Sequence, residues 1–237
     1  MNKSHLSTDF ALSASLEPLN HQIYRFLKKA IIECRLMPDE PLSENEVSAK
    51  FKFRISRQPV REALIKLAEN NFVVIKPKKA TKVARISKRD IIQGSEIRKA
   101  LESYIAAKAA RGAEEEQLQM LEENVQTQRL AAERYDLHAH FALDDEFHQI
   151  ICITAGMDKA WDIIEGIKGC MDRVRFLSLE YEITPIGVTS DAHERILKAL
   201  RARDPEGAEQ AMLSHIDEGT ASLKSVITKC KPEWFID

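Results

Sequence analysis

The sequence predicts a mainly α-helical fold with two domains: a small N-terminal domain of short helices with one hairpin, and a larger all-helical bundle. Three observations predict this fold. Apolar residues recur at helical spacing over most of the chain, two β-prone segments occur within residues 72–86, and the balance of charge reverses at about residue 86. The length of 237 residues agrees, because domains commonly contain about 100–200 residues.

Composition divides the chain into three segments and excludes several classes of protein. We expect a flexible arm over residues 1–16, a first domain over residues 17–86 and a helical domain over residues 87–237. The chain has no run of about 18 apolar residues and no apolar secretory core, so we expect a cytoplasmic protein with no membrane partner. Its four cysteines lack C-x-x-C spacing, which is typical of reduced thiols.

The formal net charge of −2 conceals two oppositely charged parts. Residues 17–85 contain 15 Lys and Arg against 8 Asp and Glu, a balance of +7. Residues 86–237 contain 19 against 28, a balance of −9. A basic first domain indicates a polyanionic partner for that domain alone, although a run of charge is more often a solvated surface.

Two short helices follow a first helical pattern that begins at Leu19. Residues 43–46 (Ser-Glu-Asn-Glu) have the spacing of a capping box and predict the start of the second helix. A connection of about four residues leads to Ser56, which we expect to cap the third helix. Two short helices joined in this way are typical of a helix-turn-helix.

The helix predicted from Ser56 to residue 67 has two different faces. Its apolar residues, at positions 60, 63, 64 and 67, form a stripe for packing onto a core. Arg57 and Arg61 lie four residues apart, so both guanidinium groups leave the same side near the N-terminal end, close to Gln58. This pattern suits a helix that reads the major groove of DNA; the alternative is an ordinary amphipathic helix with solvated arginines.

A basic hairpin is predicted directly after this helix. The β-prone segments 72–75 and 82–86 flank a tip that contains Lys76, Lys78 and Lys79. Three helices and a basic hairpin within about 65 residues predict a winged helix-turn-helix. The hairpin, or wing, would bring Lys78 and Lys79 to phosphates or to the minor groove.

Two strings in this domain resemble a known family. Residues 41–51 (Pro-Leu-Ser-Glu-Asn-Glu-Val-Ser-Ala-Lys-Phe) and residues 56–67 (Ser-Arg-Gln-Pro-Val-Arg-Glu-Ala-Leu-Ile-Lys-Leu) are similar to the winged-helix domain of GntR-family bacterial transcription regulators. The resemblance covers about residues 19–86 and implies that Ser56, Arg57 and Arg61 contact double-stranded operator DNA. The sequence departs from the family at the wing, where Lys79-Ala80 replaces an Arg-Gly pair. Since alanine tolerates positive φ poorly, the shape of the wing tip is in question.

The remainder of the chain is predicted to be entirely helical. Helical patterns lie near residues 88–111, 114–133, 136–155, 158–181, 190–203 and 205–229. Six helices in about 150 residues predict a bundle large enough to enclose a pocket.

Four polar residues lie where an apolar stripe predicts leucines. Asp144 and His148 are one turn apart on one helix, and His193 and His215 lie on two others. Each must find a partner once it is buried, because an unpaired buried polar group is costly. If the faces converge, the four residues form a site suited to Zn²⁺, Ni²⁺ or Mn²⁺; the alternative for each histidine is a hydrogen-bonded core residue.

Two further histidines, His138 and His140, do not follow the spacing of the stripe. We expect them to lie at the surface or behind the cluster.

A second resemblance concerns the helical part. Residues 96–102, 141–150, 191–200 and 211–215 are similar to the FCD effector domain of the FadR subgroup within the GntR family. Many members of that class hold a divalent metal with an Asp and three His, and the matching positions here are Asp144, His148, His193 and His215. The resemblance also implies that Arg98 faces the effector. Arg173 and Arg175 are weaker candidates for an effector contact, and for both of them we expect a surface salt bridge instead.

These observations predict a homodimeric, ligand-responsive transcription regulator, more specifically a repressor that senses a small carboxylate or sugar acid at a metal-containing pocket. One recognition helix reads about half a site, which is the reason for expecting a dimer. A metal-dependent hydrolase tethered to DNA is the alternative, because the same donors could activate water. A DNA-packaging protein with a purely structural bundle is less favoured, since such a bundle has no need of polar residues on its core stripes.

Overall fold

The computed structural model describes residues 17–50, 56–77 and 79–237, without the side chains of residues 49 and 50. The predicted arm over residues 1–16 and the predicted DNA contact Lys78 lie outside the described residues. Within them the fold is mainly helical, with a winged helix-turn-helix followed by a helical bundle, which confirms the predicted class.

The described residues of the N-terminal part form three helices and a small antiparallel sheet. Its elements are α1 (Leu19–Ile32), β1 (Pro41–Leu42), α2 (Glu44–Lys50), α3 (Arg57–Glu69), β2 (Val73–Val74) and β3 (Thr81–Val83). The strand order is β1-β3-β2, and Val74 pairs with Lys82 across the hairpin. The chain between β2 and β3 is therefore the wing that the sequence predicts.

The apolar stripe of α3 packs onto α1 in a shared core. Val60, Leu64 and Leu67 are buried there with Ile23 and Leu27. Ser56 occupies the position before the helix in extended backbone, but its side chain makes no capping hydrogen bond, unlike the expectation from sequence. The packing of the stripe thus positions α3 without help from a side-chain cap.

The helical part consists of eight helices where six were predicted. They are α4 (Lys88–Gly112), α5 (Glu115–Glu133), α6 (Leu137–Thr154), α7 (Asp158–Ile167), α8 (Gly169–Glu180), α9 (Gly187–Arg201), α10 (Pro205–Ala221) and α11 (Leu223–Lys229). Two predicted helices are each divided, at Lys168 and at Ser222, where ψ is −13° and −10°. Gly166 and Gly169 flank the first break, and glycine costs a helix about 1 kcal/mol relative to alanine.

The core of the bundle is built mainly from α4, α5, α6, α9 and α10. Leu121, Phe147, Ile196 and Met212 are almost fully buried within it, together with Ile105 of α4. Among the helices that the structure describes, none is both long enough and apolar enough to cross a membrane.

The end of the chain belongs to the first compact unit. This unit contains the chain up to Lys88 together with Cys230–Asp237, and the second unit is Arg89–Lys229. Two further strands, β4 (Ile86–Ser87) and β5 (Phe235–Ile236), pair in parallel, and Lys88 Nζ lies 2.6 Å from Asp237 Oδ1. The sequence predicts that the tail belongs to the helical domain. The pairing of β5 with β4 instead groups the tail with residues of the N-terminal unit.

Trp234→Ala should lower the free energy of unfolding by about 3–5 kcal/mol, because it removes a large buried side chain and leaves a cavity. Denaturant unfolding of the full chain measures the loss. Glu233→Ala, at the exposed neighbouring position, is the matched control and should change stability by less than about 0.5 kcal/mol. Equal stability of the two variants would mean that the tail does not pack as described.

Candidate functional sites

The exposed side of α3 carries the polar residues that the sequence predicts as DNA contacts. Ser56, Arg57, Gln58 and Arg61 are all exposed, opposite the buried stripe. Gln58 Nε2 donates to Glu62 Oε1 over 2.9 Å, so the glutamine is already partly ordered. The two arginines lie at the N-terminal half of the helix, which is the end that enters the major groove in helix-turn-helix proteins.

The wing presents an exposed Lys79, whose backbone N–H donates to the carbonyl of Lys76 over 3.1 Å. Ala80 is not among the described residues that have positive φ. Alanine at this position therefore causes no backbone strain, and the concern raised by the missing glycine does not apply to the described part of the wing.

The four predicted metal ligands come together inside the bundle. One ligand atom from each of Asp144, His148, His193 and His215 lies within 4.8 Å of those from the other three. Asp144 and His148 share one face of α6 because they are one turn apart, while α9 supplies His193 and α10 supplies His215. All four side chains are buried.

The ring nitrogens of the cluster face one another. His148 Nε2 lies 3.1 Å from His215 Nε2, and His193 Nε2 lies 3.6 Å from Asp144 Oδ1. Among the described residues, His193 Nε2 has no hydrogen-bond partner, although it is fully buried. A buried ring nitrogen that has no hydrogen-bond partner and lies close to three other potential ligand atoms is placed as a metal ligand would be.

Two polar residues contact these rings on the side that faces away from the other ligands. Neither of them was predicted from the sequence. Gln128 Oε1 lies 2.8 Å from His193 Nδ1, and Glu102 Oε2 lies 2.6 Å from His148 Nδ1. Metal-binding histidines commonly hold the nitrogen that is not a ligand in this way. The available signals were a Gln on the buried side of α5 and a Glu one turn after Arg98.

Arg175 forms a bidentate ion pair with Asp144. Its Nη1 donates to Oδ2 and its Nη2 to Oδ1, each over 2.8 Å. Burial by itself raises the pKa of the Asp144 carboxyl, but the Arg175 guanidinium outweighs burial and holds that pKa well below its ordinary value. Asp144 is therefore ionised and available as a ligand.

Burial favours the neutral form of two histidines of the cluster. Burial lowers the pKa of His193 and of His215 well below the ordinary value of 6.5. His140, expected at the surface or behind the cluster, is fully buried, and burial lowers its pKa as well. Its companion His138 is exposed.

An open cleft adjoins the cluster within the helical unit. It contains about 570 Å³ of atom-free space, its mouth included, and its lining includes Arg98, Arg175 and His215. Hydroxyl groups of Ser178 and Thr184 also line it.

The three candidate arginines have different positions. Arg98 lines the cleft but is buried and ion-paired with Glu102. Arg175, for which a surface salt bridge was expected, is buried and lines the cleft because its pair with Asp144 draws it inward. Arg173 is also buried, which is contrary to a surface salt bridge, and it is not among the cleft-lining residues.

The donor set fits a divalent metal. Three imidazoles and one carboxylate suit Zn²⁺, Ni²⁺ or Mn²⁺, and four protein ligands leave positions open in a five- or six-coordinate ion. The unpartnered nitrogen of His193 is the structural observation that favours such an ion over a purely hydrogen-bonded cluster.

Comparison with known families divides the chain in the same way. Residues 19–83 match the bacterial regulatory proteins of the gntR family, and residues 93–218 match the FCD domain.

Individual relatives extend over nearly the whole chain. The chain is 42% identical to the HTH-type transcriptional repressor RspR of Escherichia coli K12 over 219 residues, 92% of this chain and 94% of that protein. It is 27% identical to a probable D-xylose utilization operon transcriptional repressor of Paenarthrobacter nicotinovorans, with 82% and 84% covered. The solved structure of E. coli McbR/YncC has the same fold, with a TM-score of 0.76, 23% identity, and 89% and 99% covered.

The stability of the metal-free protein should fall as the pH drops below about 7. In the unfolded chain His140, His193 and His215 take up protons near pH 6.5, whereas their lowered pKa values keep them neutral in the fold. Each proton taken up only on unfolding costs about 1.4 kcal/mol per pH unit. Denaturant unfolding with a chelator present, at pH 7.5 and 5.5, measures the loss.

His140→Phe removes one of these three groups and should reduce the pH dependence, whereas His138→Phe, at an exposed position, should retain it. Stability that rises on acidification would contradict the burial of neutral histidines.

Proposed function

Because the chain belongs to the GntR family of bacterial regulatory proteins and carries an FCD domain, it is a ligand-responsive, DNA-binding transcription regulator, and we propose that it acts as a repressor. Its relatives are transcription regulators, so it is not an enzyme, and the hydrolase alternative is set aside. The effector, in this proposal, is a small carboxylate or sugar acid.

Operator DNA is bound through α3 and the wing in this proposal. Arg57 and Arg61 would reach base edges in the major groove, with Ser56 and Gln58 beside them, because these residues are exposed at the leading end of α3. The cationic wing, through Lys79 and Lys78, would contact phosphates or the minor groove.

A homodimer would provide two such helices for two half-sites of a pseudo-palindromic operator. Effector binding would favour one of two arrangements of the paired DNA-binding domains through a difference in affinity, and so control operator binding.

The effector site is proposed at the metal cluster, and the convergence of four buried donors beside an open cleft is the observation that carries this proposal. Asp144, His148, His193 and His215 would hold a Zn²⁺, Ni²⁺ or Mn²⁺ ion. When bound, the ion supplies a Lewis acid with positions left for an effector oxygen. Arg98 and Arg175 supply the positive charge that lines the cleft.

The lining of the cleft favours a hydroxylated acid as the effector. Ser178, Thr184, Thr189 and Ser222 bring hydroxyl groups to the lining, and Ser178 Oγ lies 2.7 Å from Thr184 Oγ1. Hydroxyl groups both donate and accept, so they match the hydroxyls of a sugar acid. Met171 and Leu179 add apolar surface for its carbon chain.

Arg57→Ala and Arg61→Ala should each weaken operator binding by about 1–3 kcal/mol, because each removes a side chain positioned to contact a base. Fluorescence anisotropy with duplexes selected by the protein from a random library measures the loss. Arg134→Ala, an exposed arginine on the helical unit, is the control and should bind like wild type. Undiminished binding in both α3 variants would remove these arginines from the DNA interface.

Purified protein should contain about one divalent metal per chain, and His193→Ala should lose most of it, since His193 Nε2 points into the cluster. Elemental analysis measures the metal. A thermal-shift screen of sugar acids and simple carboxylates should give stabilisation in wild type that is lost in His193→Ala. If an acid stabilises wild-type protein that contains no metal, the proposed metal site is refuted, but the proposed role as a regulator is not.

A further inference from the structure

Both carboxylate oxygens of Asp144 are already engaged. Arg175 donates one hydrogen bond to each oxygen, and the two bonds have the same length of 2.8 Å. The other contact of the carboxylate within the cluster is to His193 Nε2 at 3.6 Å, beyond hydrogen-bonding distance. The fork of Arg175 uses one lone pair of each oxygen, so a metal that takes an oxygen of Asp144 would share it with the guanidinium and would draw on the negative charge that now pairs with Arg175.

Arg175 makes further contacts besides its pair with Asp144. Its guanidinium lines the cleft, and its Nη1 lies 3.8 Å from Asp172 Oδ1. Its Cζ lies 5.2 Å from the centre of the Phe141 ring, close enough for a cation–π interaction. A guanidinium that partly left Asp144 would therefore still be supported within the same unit.

We propose that Arg175 and the metal compete for Asp144, so that loading of the metal site turns Arg175 from Asp144 towards the cleft, where it anchors the anionic effector. This inference rests on the proposed metal site and adds an order to it: the metal comes before the effector. Arg175 is thus a positioning residue in the metal-free protein and an effector contact in the loaded one.

The balance of charge explains why the loaded cleft would select an anion. Without metal, Asp144 neutralises Arg175, and Glu102 neutralises Arg98, so the two arginines of the cleft attract an anion only weakly. Once Asp144 shares its charge with a divalent ion, the charge of Arg175 is no longer compensated in a buried setting. An anionic effector then restores the balance, and by linkage it also tightens the binding of the metal.

Zinc affinity of the full-length Arg175→Met variant tests the proposal, measured by competition with a chromophoric chelator. Competition for Asp144 predicts zinc binding that is tighter than in wild type by about tenfold, because the competing cation is gone. If Arg175 instead served only to orient Asp144 towards the metal, the variant would bind zinc more weakly. The two roles therefore differ in the sign of the change.

Arg201→Met is the matched control, since it removes from α9 an arginine that forms an exposed ion pair with Glu122 of α5. Its zinc affinity should equal that of wild type. Arg175→Lys is the second variant in case Arg175→Met does not fold, as judged by circular dichroism. A lysine ammonium lacks the planar fork that engages both oxygens, so zinc affinity should fall between wild type and Arg175→Met.

The outcomes separate this inference from the proposed metal site. If zinc binds wild type, and binds Arg175→Met with equal or lower affinity, the competition is overturned but the metal site remains. Zinc that binds neither protein overturns both. Zinc that binds Arg175→Met more tightly than wild type, and is lost again on adding His193→Ala, supports the competition at this site.

Discussion

The buried ion pair between Asp144 and Arg175 is the interaction on which the helical unit depends. A carboxylate that is almost fully buried must be paired, and Arg175 pairs it by two hydrogen bonds that join α8 to α6. The pair holds Asp144 beside histidines from α6, α9 and α10. On the other side of the cluster, the carboxylate of Glu102 on α4 forms an ion pair with Arg98 and contacts the ring of His148. Five helices thus meet at one polar centre, whose open side is the cleft.

The two tasks of a regulator are separated by charge and by packing. Exposed arginines lie on α3 of the basic unit, whereas the polar centre is buried in the acidic one. Because the tail pairs β5 with β4, the chain passes between the two units twice. The first passage leads into α4, which carries Arg98, and the second follows α10, which carries His215, through α11. The first passage therefore adjoins a helix that lines the cleft, whereas α11 separates the second passage from α10.

Local periodicity explains which features could be predicted. The stripe of α3 and the one-turn spacing of Asp144 and His148 are properties of a single helix, so the sequence reveals them directly. The break at Lys168 was missed because the apolar pattern continues through it. Lys168 is buried there, with Nζ 2.5 Å from Asp172 Oδ2, which is one turn later in the chain, and 2.6 Å from Asp145 Oδ1. The contact with Asp145 joins Lys168 to α6, which no local pattern shows.

The sequence by itself determined the class of fold, the recognition helix, the wing and the identity of the four candidate ligands. Each of these depends on residue types at short spacing. Only the tertiary structure decided that the four ligands converge and that Gln128 and Glu102 orient the rings of His193 and His148. It also decided that Arg175 pairs with the buried Asp144 and not with a partner at the surface. Those contacts join residues that are far apart in the sequence, such as His148 and His215, which are separated by 67 positions. The packing of helices sets such distances, and no local pattern in the chain encodes it.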